Sequence, residues 1–292
     1  MTTSTSTRYQ KALDASLRVS WRIEDVLPDG AHFYLDRSFL PESLAQVERV
    51  PFLDPAERRW LNQIRGHSYL QLFGLVEEFI LPFVGDYARS RFGSEDYEVR
   101  ALLQFTGEEA KHIHLFKLFA ERFAQDFGRS CPTIGPANEI RDVVLAHHPL
   151  GVALYILQIE WLTQRHYVDS VQDDRALDPL FRSLLKHHWL EESQHARLDT
   201  LIVEALADGY SRAEIARGIE DYERIGALLG EGLFQQVELD LDALEAMREA
   251  SFSASEREAL RQAQRAAYYY TFKACAADHP RFNETLEGLQ RR

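Results

Sequence analysis

Six residues of this chain repeat one spacing: Glu77, Glu109 and His112, then Glu160, Glu192 and His195. In each set the second glutamate follows the first by 32 positions, and the histidine comes three residues later. Each histidine also closes a matching string, Glu108-Glu109-Ala110-Lys111-His112 in one half and Glu191-Glu192-Ser193-Gln194-His195 in the other. A separation of this length suits a helical hairpin, because about sixteen residues up, a short turn and about sixteen back return the chain to one level. Residues three apart on a helix project towards one point. Two such hairpins facing each other bring four carboxylates and two imidazoles into one core, a set that holds two metal ions. Carboxylate oxygen with neutral imidazole suits divalent iron or manganese, and the lack of thiolates in the set disfavours structural zinc.

An isolated Glu-x-x-His string also arises on solvated helix surfaces, so the neighbours decide. Glu109 shares its stripe with Leu102, Phe105, Ile113 and Phe116, while Glu160 lies one turn beyond Ile156 and Leu157, with Ala153 beneath. Burying unpaired carboxylates is costly, so four inward glutamates need a metal or protons. Two neighbours compete for the first position. Leu70, Phe73, Gly74, Ile80, Leu81 and Val84 lie at helical offsets from Glu77, whereas Gln71, Pro82 and Gly85 lie at those of Glu78. Glu77 also keeps the 32-residue spacing; Glu78, at 31, stays open. Glu108 and Glu191 are placed to accept the second ring N–H of a histidine on the opposite hairpin, which would fix its tautomer. A solvent-facing glutamate is the alternative at both.

The halves differ at one informative place. His188 lies four residues before Glu192 and seven before His195, on one helical face, where the first half has Phe105. It offers a seventh donor to one side of the cluster, against the alternative of a core histidine bonded to backbone or carboxylate. His187 falls about 100° away on the helix and is a weaker candidate. His114, His147, His148 and His166 fit surface or helix-end positions.

Punctuation along the chain is helical. Asp54-Pro55-Ala56-Glu57 reads as a capping box with proline at the first helical position. The helix it opens fades near Arg91, and Phe92-Gly93-Ser94 separates it from a second reaching about Gln125. Phe127 to Pro136 is the clearest loop. A third helix is expected from about Glu139 to Val171, kinked or interrupted near Pro149-Leu150-Gly151, and a fourth from Asp178-Pro179 to Asp208-Gly209. Ser211 caps another, and the last runs from Ser253 to about Ala277, where Tyr268, Tyr269, Tyr270 and Phe272 read as packing material. The expectation is one all-α domain: residues 1–53 an extension packed on the bundle, 54–208 a four-helix core carrying two metals, 209–292 further helices of the same domain.

Composition sets the outer limits. A chain with 45% hydrophobic and 27% charged residues has material for a core that shelters a buried site. A formal charge of −13 argues against nucleic acid. Leu70 to Val84, the most apolar stretch, contains Glu77 and Glu78, so no membrane span is expected. Two cysteines, no Cys-x-x-Cys motif and no apolar leader read as a cytoplasmic, reduced protein. There is neither a glycine-rich nucleotide fingerprint nor a cysteine cluster for iron–sulfur, so redox chemistry here needs an external electron donor.

The duplicated Glu-x31-Glu-x2-His pattern resembles the ferritin-like di-iron carboxylate superfamily. The string His188-x3-Glu192-x2-His195 looks like the aryl-amine N-oxygenases of the p-aminobenzoate N-oxygenase type, which carry an extra histidine ligand there. The resemblance covers about residues 54 to 208. It implies a ferritin-like four-helix bundle with additional N- and C-terminal helices, holding two iron ions, with a manganese–iron pair also allowed. The implied ligands are Glu77, Glu109, His112, Glu160, His188, Glu192 and His195. The implied chemistry reduces O2 to a peroxo species and oxidises a small organic substrate, an amine in that branch. A ferroxidase or iron-handling protein and a ribonucleotide-reductase-like radical subunit are the rivals, and a homodimer is allowed.

Overall fold

A computed structural model of the chain describes residues 4–94, 96–275 and 279–292. Among them there are helices and no strands: α1 (Thr5–Val19), α2 (Ile23–Val26), α3 (Glu42–Ala45), α4 (Pro55–Ser90), α5 (Asp96–Phe127), α6 (Ala137–Leu145), α7 (Pro149–His166), α8 (Pro179–Asp208), α9 (Arg212–Arg248), α10 (Ala254–Tyr269) and α11 (Pro280–Gln290). A π-helical turn extends α7 through Tyr167–Val171, and another extends α10 through Tyr270–Ala274. The expected all-α four-helix bundle with additional helices at both ends is therefore what the chain forms.

Local chemistry sets the four long helices. The Asp54 carboxylate accepts from the N–H groups of Ala56 (2.7 Å) and Glu57 (2.9 Å), and Glu57 accepts from the Asp54 N–H (3.0 Å). This reciprocal cap, with Pro55 supplying a fixed φ and no donor, starts α4. Gly93, at φ +91°, lies in the link from α4 to α5, a conformation that a Cβ would strain. Asp178 caps α8 through the Phe181 N–H at 2.7 Å, and Ser211 and Glu214 cap α9 reciprocally.

Pairing follows chain order. Helix α4 packs along α5 and α7 along α8, giving two antiparallel hairpins, and α9 lies across α4 and α7. The third helix is interrupted rather than kinked, at residues 146–148. Pro149 has no N–H to continue the preceding turn, and the ring of His148 accepts the Leu150 N–H instead (3.3 Å). Gly151 lets α9 close on this new start: a Cβ there would lie 2.8 Å from the Gly218 carbonyl oxygen and 2.9 Å from the Tyr222 nitrogen.

One expectation changes, and another holds with a burial it did not include. Tyr268 and Phe272 are buried, but Tyr269 and Tyr270 are 56% and 41% exposed, because successive helical positions rotate by about 100°. His166, expected at the surface or a helix end, closes α7 yet is buried; it bonds the Tyr69 hydroxyl through Nδ1 (2.8 Å) and the Thr271 carbonyl through Nε2 (2.9 Å). The expected end of the last helix near Ala277 lies outside the described residues. No helix among the described residues is long and apolar enough to cross a membrane.

Candidate metal centre

Helix α4 supplies Glu77; α5 supplies Glu108, Glu109 and His112; α7 supplies Glu160; α8 supplies His188, Glu191, Glu192 and His195. None of the nine is more than 4% exposed. Glu78 faces outward instead and pairs with Lys117 at 3.1 Å, so the rotation of α4 points only the first of the two glutamates inward.

Donor atoms of Glu77, His112, His188 and Glu192 lie within 4.8 Å of one another, as do those of Glu109, His112, Glu192 and His195. Glu192 faces both ways. Its Oε1 lies 3.0 Å from His188 Nε2 and 3.1 Å from His112 Nδ1, and its Oε2 lies 3.4 Å from His195 Nδ1. His188 Nε2 also approaches Glu77 Oε1 at 3.0 Å. Glu160 stands outside both groups of four, with its Oε2 buried and without a hydrogen bond.

Apart from the His188–Glu77 hydrogen bond, most of these atoms converge without satisfying one another. His195 Nδ1 and Glu109 Oε1 approach to 2.8 Å, yet neither forms a hydrogen bond, and the same holds for His112 Nδ1 and Glu192 Oε1. Glu77 Oε2 and Glu109 Oε2 are likewise buried without partners. Buried polar atoms are otherwise almost always hydrogen-bonded, so a converging set of orphaned oxygens and nitrogens fits divalent cations. The outward nitrogens are satisfied. His112 Nε2 meets Glu191 Oε2 at 2.8 Å and His195 Nε2 meets Glu108 Oε2 at 3.0 Å, each across to the opposite hairpin. These contacts leave both Nδ1 lone pairs pointing at the cluster.

Protons respond to the crowding. Burial, reinforced by Glu109, pushes the Glu77 carboxyl up to about 8 against the pull of His188 and His112. Burial and the charge of Glu192 push Glu160 well above the usual carboxylate range, and burial and Glu192 also raise Glu109. Glu192 goes the other way: burial opposes its charge, but His188 and His195 hold it well below its ordinary value. Burial would lower the imidazoles, yet Glu191, Glu192 and Glu77 carry His112 up to about 10, and Glu192 and Glu77 carry His188 to about 9. With no divalent ion, protons supply the positive charge these carboxylates need.

The surroundings are apolar and aromatic. Phe105 stacks on His195 (4.0 Å between centroids), and Phe116 and Phe73 meet His188 edge-on at 5.1 and 5.7 Å. A narrow slot of about 30 Å³ opens beside them, lined by Phe73, Val76, Tyr155, Ile159, Leu233 and Phe272. Val76 and Ile159 directly precede Glu77 and Glu160, so the slot runs alongside the centre.

Four residues around the centre escape the spacing argument. Ser16 on α1 donates to Glu108 (2.5 Å), Lys111 pairs with Glu191 (2.5 Å), and Trp21 lies parallel to His112 (5.7 Å, 14°). Asp199 is 1% exposed with neither oxygen hydrogen-bonded, and burial pushes its carboxyl well above the ordinary range. The helical stripe that marks His188 also marks Asp199, four residues past His195. Ser16 and Trp21 carry no such signal.

No protein-family model and no curated protein matches this chain. Among solved structures it is similar in layout to R2-like ligand-binding oxidase variants. One with an anaerobically reconstituted Mn/Fe cofactor gives a TM-score of 0.46 at 13% identity over 92% of each chain. Another, with an aerobically reconstituted Fe/Fe cofactor, gives 0.43 at 14% identity over 92% of each. At these values the likeness carries no statement about activity.

Proposed function

We propose that this chain is a non-haem dinuclear metal oxygenase that uses O2 to oxidise a small organic substrate. The carrying observation is the set of buried, converging oxygens and nitrogens of Glu77, Glu109, His112, Glu160, Glu192 and His195 that lack hydrogen bonds. Glu77, His112 and His188 would hold one ion, Glu160 and His195 the other, and Glu109 and Glu192 would lie between them. Two iron ions, or a manganese–iron pair of the kind named for the R2-like oxidases, match this oxygen-rich set with neutral nitrogens. When bound, such a pair supplies electrons for reducing O2, and an external reductant restores them.

The chain's own residues supply the rest. Glu108 and Glu191 fix the tautomers of His195 and His112 so that each Nδ1 faces inward. Phe73, Phe105 and Phe116 keep water from the donors, which strengthens every charge interaction among them. The apolar slot beside Val76 and Ile159 has only the volume of a water molecule, so it marks the apolar side from which a small substrate would reach the centre once side chains move apart. Arylamine N-oxygenation is the finer reading. His188, at the position where the N-oxygenases carry their extra histidine, supports it.

The test is to load the protein with ferrous iron under argon, count metal per chain, then admit O2 and follow its consumption with iron oxidation. Two irons per chain that react with O2 support the reading; fewer than two, or a ferrous protein inert to O2, would refute it. A ferroxidase would instead oxidise and retain many irons per chain.

A further inference from the structure

The repeated strings around the two histidines differ in charge at one position: Lys111 precedes His112 where the neutral Gln194 precedes His195. Gln194 turns away from the centre, its Oε1 accepting from Arg197 at 3.0 Å and its amide donating to Ser193 at 2.6 Å. Lys111 turns towards Glu191. Its ammonium lies 2.5 Å from Glu191 Oε1, donates to the Trp21 carbonyl at 3.1 Å and sits 3.7 Å from the centre of the Trp21 ring. An anion, a carbonyl and a π-face thus surround the ammonium, so its position is built rather than free. Trp21 is held in turn by its indole N–H, which donates to the His187 carbonyl at 2.8 Å. Besides His195, the matching carboxylate, Glu108, receives two neutral donors, the Ser16 hydroxyl at 2.5 Å and the Gln104 amide at 2.9 Å.

We propose that Lys111 is a positioning residue that makes the two metal positions unequal, by neutralising the carboxylate behind His112 while the one behind His195 keeps its charge. This rests on the two-metal reading above. A carboxylate accepting the outer N–H of a metal-bound imidazole makes that imidazole a stronger donor. Lys111 draws the charge of Glu191 towards itself through a charge-assisted contact, so less reaches His112. Ser16 and Gln104 bring no opposing charge to Glu108, so His195 is the stronger donor of the two. His188 then gives the His112 position a second nitrogen. One position has two nitrogens and the weaker share of negative charge, with a divalent ion harder to oxidise; the other has as many carboxylates but a single imidazole backed by a fully charged Glu108, and favours the higher oxidation state.

Calorimetric titration of the full chain with ferrous iron under argon tests this. Wild type should bind two equivalents in two distinguishable steps, with His188→Ala weakening one of them. Lys111→Met, and separately Lys111→Gln in case the first folds poorly, should tighten that same step by about tenfold, the lower end of the usual range for such outer contacts. Lys111→Arg should leave it in place. The proposal falls if folded Lys111→Met and Lys111→Gln proteins bind as wild type does, or if the step insensitive to His188 moves instead. It also falls if Lys111→Arg behaves like Lys111→Met, which would point to packing. Two equivalents in equal steps would refute the inequality alone, whereas fewer than two would remove the two-metal reading with it.

Discussion

The α4–α5 and α7–α8 hairpins carry the same donor spacing but surround it with opposite chemistry. At the positions four before the second glutamate and four after the histidine, α5 has Phe105 and Phe116, while α8 has His188 and Asp199. The two phenylalanines pack across the bundle onto His195 and His188, imidazoles of the other hairpin. One hairpin supplies apolar walls, and the other supplies extra polar groups that those walls enclose. Duplication gives a centre able to hold two ions, and the departure from duplication gives the two sides of that centre different surroundings.

Removing the residue that faces both sides should have the largest effect. Glu192→Ala is expected to drop metal from two to below one per chain, measured by elemental analysis after ferrous loading. Normal stoichiometry in this variant would place the ions elsewhere. Thinning a wall comes next: Phe105→Ala should cost about 3–5 kcal/mol in denaturant unfolding, because the ring is fully buried against His195. A loss under 1 kcal/mol would mean that the core closes over the gap. His188→Phe makes the hairpins alike at one position; we expect two bound ions, with one weakened at least tenfold in titration.

The pH response follows from protons held in place of metal. His112, His188 and Glu77 have folded values of about 10, 9 and 8, against ordinary values of 6.5, 6.5 and 4.5. Each binds its proton more tightly when folded, so the folded protein carries more protons and loses stability as pH rises. Their contribution is complete below the ordinary values and gone above the folded ones. Chelator-treated protein should therefore show a falling melting temperature from about pH 5 to pH 10. Glu192, held low, acts in the opposite sense: its contribution is present above its ordinary value and is lost on acidification below it. Metal loading should tighten over the rising-pH range, since ligands must shed those protons. A flat melting profile would mean that the cluster holds no excess protons. The smallest expected effect is Asp199→Asn, which should make the fall shallower by removing one raised, buried carboxyl while leaving metal stoichiometry at two.

Much of the centre is legible in the sequence because a helix converts spacing into direction. Offsets of three, four and seven gather His188, Glu192 and His195 on one face whatever the rest of the chain does, and the apolar residues around Glu109 mark that face as inward. Asp199 obeys the same rule and goes unnoticed beside the duplicated pattern. Tyr269 and Tyr270 mislead for the complementary reason: aromatic character suggests burial, whereas their rotation about α10 and its π turn leaves them exposed.

The helices, the two hairpins and the six repeated residues can be read from the residues alone, because they depend on caps, breaks and the fixed rise and rotation of a helix. That Glu77 rather than Glu78 turns inward is settled by packing, since both lie on one helix whose rotation its neighbours set. Packing alone brings Ser16 to Glu108 and Trp21 to His112, contacts spanning some ninety residues with no periodicity to announce them. The charge difference between Lys111 and Gln194 is plain in the sequence. Its consequence is not, because neutralising a carboxylate depends on a distance of 2.5 Å that only the packed bundle fixes.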